Sequence, residues 1–211
     1  TFASVRSTNL TTWTLDDTVT PGIAGGVERV WSPEWFLDDD GTLHVFVAIS
    51  TDSAVSFQLF RIRPQGAALT RWYPPVQIAG TSLPANMIDP FVHKAGDYYY
   101  LWYKQETSKY IERLRSRFLD TGYVVDKSGD WAVWGTDLYE GPCLIRLASG
   151  YRLYLDRYTA PNTGIYYADS SDLETWSTLT LCTAPITPQH GTILRVTNDA
   201  QIVTILTAFD A

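Results

Sequence analysis

The sequence predicts an all-β fold, a β-propeller of four-stranded antiparallel blades with about four blades in this chain. Three hairpins share one template, and the template returns at intervals of 57 and 52 residues. No stretch combines a sustained helical period with helix caps. Aromatic residues make up 14% of the 211 residues, with 8 Trp and 13 Tyr, and this composition favours strands.

Each hairpin has a proline near its start, an apolar run, a turn glycine and an aromatic-rich run. The three copies contain Pro33, Pro90 and Pro142: SPEWFLDDDGTLHVFVAI, DPFVHKAGDYYYLWY and GPCLIRLASGYRLYL. Two further strands fit after each hairpin, and in the third copy they are GIYYADSS and WSTLTL. Units of this kind are typical of a propeller. A β-sandwich is the alternative for many short strands, but it does not explain the repeated template.

Full blades are predicted over about 27–80, 86–136 and 138–186. A weaker fourth copy, HGTILRVTNDAQIVTILTAF, lacks the proline and supplies two inner strands, 190–197 and 201–209. The N-terminal segments FASVRS and TWTL are predicted as two outer strands. We therefore expect one composite blade from 190–209 and 1–16, closing a single domain over 1–211, with FASVRS paired to 201–209.

Charge and composition restrict the partners that the chain can have. A net charge of −7 opposes binding to nucleic acid, which requires a basic surface. No run approaches the roughly 18 apolar residues of a membrane span, so no membrane partner is expected. The two cysteines, Cys143 and Cys182, are too few for a disulfide framework, and a bridge between them is left open. From the start at Thr1 and the sequon at Asn9 we expect a trimmed extracellular or periplasmic protein.

Acidic residues stand where the predicted first strands begin. In a propeller these strands line the central channel, so their opening residues converge: the region of Trp31 and Glu34, then Asp89, Glu140 and His190. Two carboxylates across a pocket are the minimal machinery for hydrolysing a glycosidic bond. Taken singly, such acids more often only begin a strand. Their matching positions in the repeat favour a functional site instead.

These segments carry a resemblance to the five-bladed propeller glycosidases of glycoside hydrolase family 43. The similar segments occur in the family's order: RSTNLTTW, VWSPEWFLDDDG, MIDPFVHKAGDYYYLWYK, EGPCLIRLASGYRLYLD, SSDLETW and QHGTILRV. The resemblance implies that Glu140, in EGP, is the general acid. It implies that Asp89, in IDP, is a second acid that tunes the donor's pKa and orients the sugar.

The same resemblance implies further site residues. His190, in QHG, matches a histidine beneath the active site that contributes to a hydrated calcium or sodium site, and no organic cofactor is expected. Trp31, in WSP, would line a sugar subsite, and Lys104 would reach the substrate. The family's general base is an aspartate upstream of the STNLTTW-like turn, and no residue here matches it. The acids at 16–17 follow the turn, and those at 38–40 are expected to be solvated at a hairpin tip.

Two functions therefore stay open for this chain. The first is inverting hydrolysis of oligo- or polysaccharides that contain arabinose or xylose, which the retained Asp89 and Glu140 favour. The second is a glycan-binding propeller without catalysis, which the unmatched base favours. A propeller that binds only proteins would not need convergent acids.

Overall fold

The structure, a computed structural model, describes residues 1–9, 11–52, 56–134, 138–183 and 190–193. These residues form strands and turns without a helix, and so provide no helix long and apolar enough to cross a membrane. The strands are β1 (Phe2–Arg6), β2 (Thr14–Val19), β3 (Arg29–Leu37), β4 (Leu43–Ser50), β5 (Phe57–Ile62), β6 (Val76–Gln77), β7 (Met87–Ala95), β8 (Tyr98–Gln105), β9 (Ile111–Ser116), β10 (Val124–Lys127), β11 (Tyr139–Leu147), β12 (Gly150–Arg157), β13 (Gly164–Ser170) and β14 (Thr180–Leu181).

The strands form three antiparallel sheets of four strands each, connected in simple sequence order. We call them the first blade (β3–β6), the second blade (β7–β10) and the third blade (β11–β14). They lie within the predicted segments 27–80, 86–136 and 138–186. The predicted all-β propeller architecture is thereby confirmed, with β1 and β2 forming a separate two-stranded sheet. Strand 201–209 of the composite blade lies outside the described residues, so its pairing with FASVRS stays a prediction.

The hydrophobic cores lie between neighbouring sheets, as they do in a propeller. Strand β4 is buried on both faces. Its Val47 joins a core shared with Phe2 of β1, whereas the next residue, Ala48, joins a core shared with Leu101 of the second blade. Alternate side chains of a strand point to opposite faces, so a sheet between two others needs apolar residues on both. This explains why LHVFVAIS reads as a nearly continuous apolar run.

The first strands of the blades are neighbours at the centre of this arrangement. Strand β7 contacts β3 on one side and β11 on the other. The residues that open these strands are therefore brought together, and the site described below is built there.

Two details of the fold bear on the sequence-based expectations. Cys143 and Cys182 are both free, and burial of Cys143 raises the pKa of its thiol to about 12.

Asp38 was expected to be solvated, and this was wrong. Its side chain is only 13% exposed, and it accepts a hydrogen bond of 2.8 Å from the Tyr99 hydroxyl and pairs with Lys94 at 3.3 Å. The hairpin tip of the first blade is folded against the second blade, and this contact buries Asp38.

Arg113 joins the second and third blades through a fully buried side chain. Its guanidinium donates to Asp126 at 2.6 Å within its own blade. It also donates to the carbonyl of Leu173 at 2.6 Å and to Glu174 at 2.9 Å in the third blade. The guanidinium also lies 5.0 Å from the ring centroid of Trp102. A buried charge with this many partners is costly to remove, since the partners lose their counter-charge.

Replacing Arg113 by Met should therefore lower the free energy of unfolding by about 3–5 kcal/mol. The matched control is Arg117→Met, because Arg117 pairs with Asp97 at 3.4 Å where both side chains are largely exposed. That control should change stability by no more than about 0.5 kcal/mol. Urea denaturation measures both variants. Equal losses for the two would contradict the role assigned to Arg113.

Candidate active site

A bulge interrupts the first strand of every blade at the position of the repeated proline. Pairing slips between Trp31 and Glu34 in β3, and at the corresponding places in β7 and β11. The residue before each proline is left-handed: Ser32, Asp89 and Gly141 have φ of 50°, 53° and 56°. Bulges re-aim side chains. The repeated proline in the sequence therefore marks the bulge in the first strand of each described blade.

Asp89 connects all three bulges. One carboxylate oxygen accepts a short hydrogen bond from the Ser32 hydroxyl in the first blade, and the other accepts the amide of Gly141 in the third blade at 3.0 Å. Asp89 is buried. Gly141 directly follows Glu140, so the structure brings the carboxylate of Asp89 to the residue next to Glu140, as the sequence predicted.

Glu140 is held by a buried lysine. The ammonium of Lys104, 3% exposed, lies 2.9 Å from Glu140 and 3.2 Å from Glu106. It also lies 4.2 Å from the ring centroid of Tyr158. Burial alone would lower the pKa of Lys104, but the adjacent carboxylates outweigh burial and raise it. Lys104 thus contacts a carboxylate that the sequence marked as catalytic, and direct contact of Lys104 with substrate stays a prediction.

His190 lies against the third blade. Its amide donates to Asp156 at 2.9 Å, and its ring is so close to Gly141 that a Cβ there would lie 3.3 Å from the ring atoms. Glycine suits this position in two ways, because it avoids the tight contact with the His190 ring and adopts the positive φ without the strain of a side chain. Among the described residues, no three His, Cys, Asp or Glu side chains are grouped closely enough to hold a metal ion. The calcium or sodium ion expected near His190 stays a prediction.

Two further carboxylates, the half-buried Glu34 and the buried Asp156, lie near these residues. Glu34, just after the bulge of β3, accepts the Thr192 hydroxyl at 2.5 Å, and burial raises its pKa. Asp156 lies opposite Glu140 in the register of β11 and β12. Burial is the main cause of its raised pKa, and the charge of Asp89 adds to the effect. One oxygen of Asp156 is buried without a hydrogen-bond partner in the described part of the chain.

Sequence reasoning did not identify Asp156. The signal was weak, because one acid within the aromatic run YRLYLDRY also fits an exposed strand position. Its burial depends on the segment around His190, which is distant in sequence. Glu34 was placed in the correct region, although no role was assigned to it.

Asp89, Glu34 and His190 line a cavity of about 200 Å³ between the first strands of the blades. Glu140 is not part of its wall, although the next residue, Gly141, is. Its walls are the three bulges, at residues 32–34, 89–90 and 141–142, and the segment 190–192. Trp31 precedes the first bulge but is not part of the wall. Its ring is 40% exposed and packs on Phe57 with centroids 4.3 Å apart.

Comparisons with known proteins identify the family and the fold. A family model described as "Probable glycosyl hydrolase domain" matches residues 3–201. The chain belongs to this family of glycosyl hydrolase domains. No curated protein matches the chain significantly.

Solved structures with the same fold include members of glycoside hydrolase family 43. An α-L-arabinanase of Penicillium chrysogenum is 17% identical, with a TM-score of 0.61 over 89% of this chain and 60% of its own. A GH43 protein of Bacillus licheniformis is 16% identical, with a TM-score of 0.64 over 87% and 37%. An exo-β-1,3-galactanase of Phanerochaete chrysosporium is 17% identical, with a TM-score of 0.55 over 85% and 43%. The chain spans less than two thirds of each of these three structures.

The raised pKa of Glu34 predicts a pH dependence of stability. Its folded-state pKa lies above 4.5, so the folded protein binds more protons than the unfolded chain just above that pH. The contribution of Glu34 to stability is therefore present below pH 4.5 and is lost as pH rises through the folded-state pKa. The Glu34→Gln variant should gain stability relative to the unsubstituted protein between pH 4 and pH 7.

Urea denaturation at several pH values tests this, with Glu28→Gln, at an exposed position, as the control for loss of a charge. A stability difference between Glu34→Gln and the unsubstituted protein that stays constant from pH 4 to pH 7 would rule out the burial argument.

Proposed function

We propose that this chain carries the acid side of a glycosidase active site, with Glu140 as the general acid and Asp89 as the acid that positions it. The substrates are oligo- or polysaccharides that contain arabinose or xylose, cleaved with inversion. The observation that supports this most is the hydrogen bond from the Gly141 amide to Asp89. It ties Asp89, which lines the cavity, to the residue that directly follows Glu140 in a different blade.

The contacts of Glu140 suit a residue that gives up a proton. When the bond between sugar and leaving group breaks, its electron pair stays on the leaving oxygen, which takes the proton from Glu140. Glu140 is then a carboxylate, and the ammonium of Lys104 at 2.9 Å stabilises that charge. Asp89, fixed by Ser32 and Gly141, keeps the strand that carries Glu140 in place.

Inversion also requires a base that activates water, about 6.5–9.5 Å from the acid. We assign that role to no residue of this chain. The choice of sugar follows the resemblance to family 43, and the exposed ring of Trp31 supplies an apolar surface on which a sugar can stack.

A second candidate is a propeller that binds glycans without cleaving them. The unmatched general base favours it, because none of the acids of this sequence matches the position of the family's base. Both candidates use the same cavity and differ in whether a bond is broken.

Release of reducing sugar from arabinans, xylans and aryl glycosides separates the two candidates. Glu140→Gln should lower the release by about 10²–10⁴-fold, since it removes general acid catalysis. Glu106→Gln is the matched control, because Glu106 contacts the same lysine at 3.2 Å, and it should keep most of the activity.

Two outcomes would count against the glycosidase proposal. If Glu140→Gln released as much reducing sugar as the unsubstituted chain, Glu140 would not be the general acid. Polysaccharide binding without any release by the unsubstituted chain would select the binding candidate.

A further inference from the structure

A second concave surface lies at the opposite end of the third blade. It is a groove of about 430 Å³ lined by residues 147, 149, 151, 169–171 and 175–177. Strand β11 runs from the cavity wall at Pro142 to the groove at Leu147. At about 3.3 Å per residue, the two sites are roughly 16 Å apart along that strand. The groove is therefore separate from the candidate active site.

Two aromatic residues, Trp176 and Tyr151, line the groove, and each packs against an aromatic ring of the second blade. The indole N–H of Trp176 donates to the carbonyl of Leu173 at 3.3 Å, and its ring meets Trp102 edge to face at 5.5 Å. The ring of Tyr151 meets His93 edge to face at 5.5 Å. Rings fixed in this way lose little conformational entropy when a ligand stacks on them.

The turn SSDLETW, which shares Ser, Leu, Thr and Trp at matching positions with the N-terminal segment STNLTTW, places Trp176 at the groove. Its Asp172 accepts the amides of Glu174 and Thr175, each at 2.8 Å. The N-terminal copy uses Asn9 in the same way, and its tryptophan, Trp13, is 54% exposed. The turn thus explains the repeat, and in the third blade it presents the tryptophan beside a groove.

Apart from Leu147, the rest of the lining is polar, and its one charged residue is paired. Hydroxyl groups come from exposed residues, among them Ser149, Ser171 and Thr175. Asp169 is the charged residue of the described lining. Both of its oxygens accept hydrogen bonds from Arg152, at 2.7 and 2.8 Å. The groove therefore offers aromatic surface and neutral hydrogen-bonding groups.

We propose that this groove binds a neutral oligosaccharide segment, as a second glycan site on the far side of the third blade. Sugars present C–H faces that stack on aromatic rings, and hydroxyl groups that pair with Ser and Thr side chains. Because Arg152 neutralises the charge of Asp169, the groove has no preference for an ionic ligand. The choice of a glycan rests on the proposed function, because that function supplies polysaccharides as ligands. The site holds the polymer and takes no part in bond cleavage.

The test fills the groove and measures retention of polysaccharide. In the Glu140→Gln background, where polymer should stay intact, native gels containing soluble arabinoxylan or linear arabinan report binding. Ser149→Trp should weaken retention at least tenfold, and Tyr151→Ala should weaken it by removing a stacking surface. Asp97→Trp is the control, at the corresponding hairpin tip of the second blade, and should be retained like the parent protein.

The two proposals fail separately. The groove site is overturned if the polymers slow Ser149→Trp in the gel as much as they slow the parent protein. It is also overturned if neither polymer slows the parent protein. Release of aryl glycosides by the otherwise unsubstituted chain reports on the active site alone, and Ser149→Trp should not change it. Groove-dependent retention without any release would leave the groove site standing and remove the glycosidase proposal.

Discussion

The carboxylate of Asp89 accepts hydrogen bonds from both neighbouring inner strands, and the arrangement of the cavity depends on these two contacts. Each of the three bulges holds a residue with positive φ, and for non-glycine residues such a conformation costs about 1–3 kcal/mol. A hydrogen bond to a charged group contributes about 1.5–3 kcal/mol. The bonds of Asp89 are therefore large enough to offset the strain in Ser32 and in Asp89 itself.

The carboxyl groups near Asp89 differ in their hydrogen-bond partners. Glu140 has the ammonium of Lys104 as its partner. Glu34 and Asp156 accept bonds from uncharged donors, the hydroxyl of Thr192 and the amide of His190. Burial raises the pKa of both Glu34 and Asp156. The carboxyl groups in and beside the cavity thus differ in their hydrogen-bond partners.

Much of the architecture was predictable because it repeats. Pro33, Pro90 and Pro142 mark equivalent places in three inner strands, so their spacing predicted the blades and the convergence of Asp89 with Glu140. Contacts between blades were not predictable in the same way. The pairing of Lys104 with Glu140, and the burial of Asp156 by the segment at His190, depend on sheet twist and on bulges that shift the register. Neither leaves a periodic signal in the sequence.

Asp89 links the first blade to the second through Ser32. A double-mutant cycle with Ser32→Ala, Asp89→Ala and the double variant measures that link directly, as a coupling in the free energy of unfolding. We expect a coupling energy of about 1.5–3 kcal/mol, the range of a hydrogen bond to a charged group. Losses that add within about 0.5 kcal/mol would contradict it, because independent sites behave in that way.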